Sequence, residues 1–159
     1  MNQQEMARWL KVILAVAGLI GLALCFLVLP LLGKELAAQA PELSALYYPC
    51  LIYLWAAGVP VFAALGIGWK ICSAIAADQS FCRQNARRLS QISKLAFVEF
   101  LFWVAGAALL LCLNLLHPSI LLMGLLIAFL CIAASVAAAA LSHLVEKAAA
   151  LDEDNQLTI

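Results

Sequence analysis

Four long stretches of this chain contain no charged residue, and they constrain the fold more than any other feature of the sequence. They cover residues 12–32, 43–69, 100–116 and 119–142. A helix needs about 20 mostly apolar residues to cross the hydrocarbon core of a bilayer, and each stretch reaches or approaches that length. The third reaches it only if its helix begins near Leu95, which brings Glu99 into the membrane.

These lengths predict four membrane-spanning helices, at about residues 12–32, 47–69, 95–116 and 119–142. Backbone polar groups in lipid must be satisfied within each segment, so the expected architecture is an all-α, integral membrane four-helix bundle. The mean hydropathy of +1.05 and the charged fraction of 11% agree, because both lie outside the range of soluble domains. Residues 1–159 are therefore predicted to form a single membrane domain.

The distribution of Lys and Arg predicts the orientation of this bundle. Of the nine such residues, all except Lys34 lie before the first span, between the second and third spans, or in the tail after the fourth span, residues 143–159. Short loops that are rich in Lys and Arg stay in the cytoplasm. Both termini and the middle loop are therefore expected to be cytoplasmic.

The middle loop contains a predicted amphipathic helix over residues 80–94, between the second and third spans. Ser80 suits the N-cap position, and Asp78 suits the positive end of a helix. At about 100° per residue, one face of this helix is apolar and leads into the third span, formed by Phe81, Cys82, Ala86, Leu89, Ile92 and Ala96. Such a helix lies along the inner membrane surface or folds under the bundle.

Asn85 interrupts this apolar face, and Arg88 lies at its edge. A polar group on a buried face needs a hydrogen-bond partner. The nearest candidates on the cytoplasmic side belong to the tail: Asp152, Glu153, Asp154 and Asn155. One hypothesis is therefore that the tail docks on the loop helix through Asn85 and Arg88. In the alternative, Arg88 extends to lipid phosphates and the tail is loose.

Glu99 is the one acidic residue within a predicted span. A charged side chain at the bilayer centre costs roughly 2.5–3.5 kcal/mol on insertion scales, so such residues are candidates for function. Glu99 also lies only five positions after Lys94, about 7.5 Å along a helix. A structural role, in which Glu99 reaches the inner interface or pairs with Arg8, Lys11 or Lys70, and a role in proton or cation coupling both remain open.

Nothing in the sequence indicates an enzyme, a metal site or a bound cofactor. The six cysteines have no metal-ligand spacing, and a disulfide between Cys50 and Cys112 is an alternative because both are expected near the outer face. His117 and His143 are expected at opposite faces of the membrane, so they share no site. The positive charges of the loop are explained by its orientation, so direct nucleic-acid binding is not expected.

Small residues at four-residue spacing occur in several spans, as in Ala17–Gly21–Cys25, Ala64–Gly68 and Ala133–Ala137. This spacing allows helix backbones to approach each other closely in lipid. It serves folding and self-association equally well, so a homo-oligomer is one of the open alternatives.

Two segments carry a family resemblance: residues 81–92, FCRQNARRLSQI, and residues 151–159, LDEDNQLTI. They resemble the two signatures of a bacterial four-helix membrane family catalogued as domain of unknown function 2975. The matching positions are Phe81, Asn85, Arg88, Leu89, Ile92, Asn155, Leu157 and Thr158. The sequence departs at Cys82, where the family usually has Ser, and at Gln84, where it usually has Glu, so a Cys-based activity is not a family trait.

The resemblance implies a protein of the bacterial inner membrane, and its members are often encoded beside a small helix-turn-helix regulator. We therefore predict a non-enzymatic regulatory or scaffolding protein with a cytoplasmic docking surface, whose partners are the lipid bilayer and a small DNA-binding regulator. The residues predicted to form that surface are Phe81, Asn85, Arg88, Leu89, Asp152, Glu153, Asp154, Asn155 and Leu157. The alternative function is a small transporter or membrane sensor that uses Glu99.

Overall fold

The structure, a computed structural model, describes residues 3–39, 41–77 and 79–157, and the side chains of all of these except residues 41–43 and 154–157. The described chain is helical throughout apart from short connections. Its elements are α1 (Gln3–Ala23), a π-helical turn (Leu24–Val28), α2 (Leu29–Gln39), a 3-10 helix (Pro41–Leu46), α3 (Tyr47–Ala76), α4 (Arg83–Cys112) and α5 (Pro118–Leu157).

Four helical segments are long and apolar enough to cross a membrane: Gln3–Gln39, Ser44–Ala76, Arg83–Cys112 and Pro118–Glu153. This confirms the prediction of an all-α protein with four spans, and the chain is a multi-pass membrane protein. The large apolar side chains are mostly exposed, whereas the buried apolar residues are small. That distribution suits lipid, where helices associate through close packing of small residues because the lipid tails already solvate the large ones.

The helices pack in chain order. The first span contacts α3, α3 contacts α4, and α4 contacts α5 along most of its length. Within the described part of the chain, α4 is the only helix against which α5 packs. The bundle is therefore open between its first and last spans.

The amphipathic segment of the middle loop is not a separate helix. Helix α4 begins at Arg83 and runs without a break to Cys112, so the predicted loop helix forms its first turns. The N-cap is Cys82, with extended backbone at φ −120° and ψ 149°, rather than Ser80; Asp78 lies outside the described residues. The sequence has no Pro or Gly from Arg83 to Ala105 that would end the helix at the membrane boundary.

The tail after the fourth span is helical as far as it is described, because α5 continues to Leu157. The hairpin between α4 and α5, residues 113–117, is tight. Asn114 adopts a positive φ of 54°, and the amides of Asn114 and Leu115 bond to the carbonyls of Leu111 and Leu110. This is a Schellman C-cap, and it ends α4 at Cys112 rather than at residue 116.

Helix α5 presents a row of small residues to α4. The buried residues of α5 are spaced by seven: Ala128, Ser135, Ser142 and Ala149. Ser135 and Ser93 of α4 each donate a hydrogen bond to the other's backbone carbonyl, at 2.9 and 2.8 Å. The four-residue pair Ala133–Ala137 is exposed instead, so it does not form this contact.

The π-helical turn in the first span has an identifiable cause. Pro30 has no backbone N–H, and the N–H of Leu29 bonds to the carbonyl of Leu24. The carbonyl of Cys25 therefore has no donor from its own helix at either the α or the π spacing. Trp55 of α3 supplies one, because its Nε1 donates to that carbonyl at 2.9 Å.

Candidate functional site

The linker between α3 and α4, residues 77–82, is held in place by Asn85. Its side chain is 2% exposed, the most buried of the polar side chains described. The Nδ2 atom donates to the carbonyls of Gln79 and Ser80, at 3.0 and 3.2 Å. These carbonyls lie outside regular helix and need partners, so the amide closes the linker over the first turn of α4.

Arg88 extends this network to α3. Its Nη1 donates to Oδ1 of Asn85 at 3.0 Å and to the carbonyl of Lys70 at 3.2 Å. Both functional groups of the Asn85 amide are thus used, since Nδ2 donates and Oδ1 accepts. Asn85 is buried and partnered, as the sequence predicts, but Asn85 and Arg88 bind the linker and α3 rather than Asp152 or Glu153 of the tail. The linker carbonyls lie closer in sequence to the amide than the tail does.

The end of α5, from Ser142 into the tail, does lie beside the start of α4, through two contacts that no sequence pattern indicates. Arg83 Nη2 lies 2.7 Å from Glu153 Oε2. Ser142 Oγ donates to the carbonyl of Ala86, also at 2.7 Å. The ion pair is more than half exposed on both sides, so it contributes only about 0–1 kcal/mol. The buried hydroxyl bond and the small residues around it position α5.

An open cleft of about 700 Å³ lies where the start of α1, the linker and the end of α5 meet. We call this the linker-end cleft. Its lining residues are Gln3, Gln79, Ser80, Phe81, Cys82, Gln84, Ala148, Leu151 and Asp152. Of the large apolar residues there, Phe81 is 64% exposed and Leu151 is 66% exposed. The cleft therefore combines two accessible apolar side chains with amides, one hydroxyl and a carboxylate.

Only some of the predicted docking residues line this cleft. Phe81 and Asp152 line it, Asn85 supports the linker behind it, and Leu89 is half-buried on α4 without lining it. The side chains of Asp154, Asn155 and Leu157 lie outside the described residues. Cleft residues such as Gln3 and Ala148 were missed, because no local pattern indicates that the ends of α1 and α5 meet the linker.

Glu99 lies on α4, about 20 Å along the helix from Ala86. It is 5% exposed, and its Oε1 accepts a hydrogen bond of 2.8 Å from Nε1 of Trp103. Its Oε2 is buried and has no hydrogen-bond partner among the described residues. Among the described residues, Glu99 therefore forms no ion pair with Arg8, Lys11 or Lys70.

No group of three His, Cys, Asp or Glu residues is arranged to hold a metal ion in the described part of the chain. All six cysteines are free, including the exposed Cys50 and Cys112, so the alternative of a disulfide between them is not realised in this structure.

Comparison with known proteins identifies a matching family and a similar membrane protein. Residues 31–159 match the family described as "Protein of unknown function (DUF2975)". The chain is also similar to the uncharacterized membrane protein YoaS of Bacillus subtilis (strain 168), with 29% identity over 153 residues, which cover 95% of this chain and 96% of that protein. No solved structure matches.

Proposed function

The chain belongs to the family described as "Protein of unknown function (DUF2975)", and we propose that it is a non-enzymatic regulatory or scaffolding protein of the bacterial inner membrane. The working surface in this proposal is the linker-end cleft. It faces the cytoplasm if the short loops follow the distribution of Lys and Arg. The mechanism is tethering: the membrane helices hold the cleft, and the cleft holds a cytoplasmic protein.

The observation that carries this proposal is the exposure of Phe81 and Leu151 inside a cleft with polar walls. Exposed apolar side chains on a spanning surface are solvated by lipid, but these two lie among Gln, Ser and Asp side chains. Apolar groups with a polar rim mark interaction sites on proteins. The linker that carries Phe81 is also braced by a buried amide, so Phe81 is presented on a fixed backbone.

The partner that we propose is a small DNA-binding regulator. The resemblance to a family often encoded beside helix-turn-helix regulators supports this class. The charges support a protein partner over nucleic acid, because Arg83 already pairs with Glu153 and Arg88 already donates to carbonyl and amide oxygens. Asp152 also lines the cleft, and a carboxylate there repels phosphates but attracts a basic protein surface.

Co-purification tests the proposal. The full-length chain, produced together with a small helix-turn-helix regulator of the kind encoded beside family members and extracted in mild detergent, is expected to retain that regulator. The double variant Phe81→Ser, Leu151→Ser is expected to lose it, because both apolar anchors of the cleft are removed. Deletion of residues 152–159 is expected to have the same effect.

The matched control is Leu113→Ser, which removes an exposed leucine from the hairpin at the other end of α4. This variant is expected to retain the regulator as well as the unmodified chain does. Equal retention by the double variant, or equal loss in the control, would exclude the cleft as the docking surface.

One observation supports the alternative function, a small transporter or membrane sensor. Glu99 is buried, and one of its carboxyl oxygens has no hydrogen-bond partner among the described residues. Unpaired acids within membranes mark ion pathways, proton relays and sensors. A pH-dependent transport assay of Glu99→Gln in vesicles separates this alternative from docking, since docking predicts no difference from the unmodified protein.

A further inference from the structure

Glu99 is surrounded by a cluster of aromatic and polar groups from three helices. Trp103 lies one turn further along α4. Tyr53 of α3 and Cys131 of α5 interact electrostatically with Glu99. Tyr53 stacks on Phe102 with ring centroids 4.3 Å apart, and its hydroxyl donates to the Phe102 carbonyl at 2.6 Å. The hydroxyl occupies the position that a side chain at Gly106 would take.

The two carboxyl oxygens of Glu99 differ in their hydrogen bonds. An indole N–H can only donate, so Oε1, which meets Trp103 at 2.8 Å, is an acceptor. The hydroxyl proton of Tyr53 is used on the Phe102 carbonyl. The carboxyl oxygen that is left without a partner, Oε2, is the one that can carry a proton.

Charge balance favours the same assignment. Among the described residues the ion pair within 4 Å is Arg83–Glu153 at the linker end, so no Lys, Arg or His pairs with Glu99. Tyr53 of α3 and Cys131 of α5 interact electrostatically with Glu99, and neither of them supplies positive charge. An unpaired, buried carboxylate is costly in a medium of low dielectric constant, and such groups usually become neutral instead.

We propose that Glu99 is a reversible proton-binding site inside the membrane, with the proton on Oε2 and the Trp103 indole on Oε1. Binding of one proton from water neutralises the carboxylate, and its release regenerates the charge, so the site holds at most one proton. The site is independent of the docking proposal. It lies, however, on the same helix, α4, whose first turns support the linker-end cleft.

Labelling with a carbodiimide tests this site on the full-length protein in liposomes. Dicyclohexylcarbodiimide is apolar, enters lipid and reacts with protonated carboxyl groups, whereas a water-soluble carbodiimide reaches only groups in contact with water. We expect the apolar reagent to modify Glu99 at neutral pH and the water-soluble reagent to leave it unmodified. The adduct is read at Glu99 itself by peptide mass spectrometry, so the measurement needs no variant.

The adduct is expected to be lost as the pH is raised while tryptophan fluorescence shows that the fold is intact, and to be unaffected by Na⁺ or K⁺. Glu99→Gln supplies the control without a label, since its amide oxygen can still accept from Trp103. No adduct at neutral pH, equal reaction with both reagents, or suppression by Na⁺ or K⁺ would overturn the proposal. An adduct that persists at every pH where the protein stays folded would also overturn it, because the proton would then not exchange.

Discussion

The hydrogen bond between Trp55 and the Cys25 carbonyl gives the most discriminating prediction about the fold. Trp55→Phe removes the indole N–H but keeps an aromatic ring at the position that packs on Phe26, whose ring centroid is 5.9 Å from that of Trp55. The variant leaves the Cys25 carbonyl without a donor in lipid. Side-chain hydrogen bonds between membrane helices contribute about 0.6 kcal/mol on average and up to about 1.7 kcal/mol.

We expect Trp55→Phe to lower the free energy of unfolding by about 1–1.7 kcal/mol, in the upper part of that range, because the group left without a donor is a backbone carbonyl. Reversible unfolding in mixed detergent micelles, followed by circular dichroism, measures the change. The ring contact contributes a part of the loss, so the single variant does not isolate the hydrogen bond.

The variant Pro30→Ala isolates the contribution of the hydrogen bond between Trp55 and the Cys25 carbonyl. An alanine at position 30 restores an N–H, which lets the first span supply a donor to the Cys25 carbonyl from its own backbone. In the Pro30→Ala background, Trp55→Phe should therefore cost about 1 kcal/mol less than in the unmodified chain, on the same scale for interhelical hydrogen bonds. An equal cost in both backgrounds would show that proline and tryptophan are not coupled, and would refute this account of the π-helical turn.

Three further predictions follow from the linker, the Glu99 cluster and the topology. Asn85→Leu should lower the free energy of unfolding by about 1–3 kcal/mol, because it abandons the linker carbonyls and Arg88, whereas Gln91→Leu on the exposed face of α4 should change it little in the same unfolding assay. Gly106→Ala should destabilise the protein, because the added methyl group meets both the Tyr53 hydroxyl and the ring carbon that bears it, and thermal unfolding should show only partial recovery in the double variant with Tyr53→Phe, which keeps that ring carbon. A membrane-impermeant maleimide should modify Cys50 or Cys112 in intact cells but reach Cys82 only after permeabilisation; modification of Cys82 in intact cells would contradict the proposed orientation.

The spans and the tight hairpin could be predicted from the sequence because both depend on local composition. Runs of apolar residues near 20 in length are sufficient to identify spans. Asn114 followed by His117 and Pro118 provides a helix stop and a helix start within a few residues: Asn114 adopts the αL conformation, and the His117 carbonyl receives the first amides of α5. The prediction that Asn85 is buried also held, since a periodic apolar face determines which side of a helix is covered.

The partners of the polar residues could not be predicted in the same way. Sequence distance does not say whether the Asn85 amide meets the tail or the linker, and the structure selects the linker carbonyls. The face of α5 that packs on α4 could not be chosen from the sequence for a related reason. An alanine-rich helix offers many small-residue spacings, and only the position of α4 selects Ser135 and Ser142 over Ala133 and Ala137.

The α4–α5 contact is the part of the fold on which the proposed cleft most depends. Helix α5 packs on α4 alone within the described chain, so its end is placed beside the linker by this contact and by Arg83–Glu153. The ion pair is exposed and weak, which leaves the buried small residues as the main determinant. Ser142 is the one nearest the cleft that also bonds across the contact, to the Ala86 carbonyl.

Ser142→Leu should therefore displace α5 from α4 and alter the cleft. Overpacking a close contact costs about 1–3 kcal/mol, and the carbonyl of Ala86 also loses its hydroxyl donor. We expect a lower unfolding midpoint together with loss of the cytoplasmic partner. The matched control, Ala140→Leu, adds the same side chain to an exposed position of α5 and should preserve both. Partner retention by Ser142→Leu at normal stability would mean that the position of α5 does not determine docking.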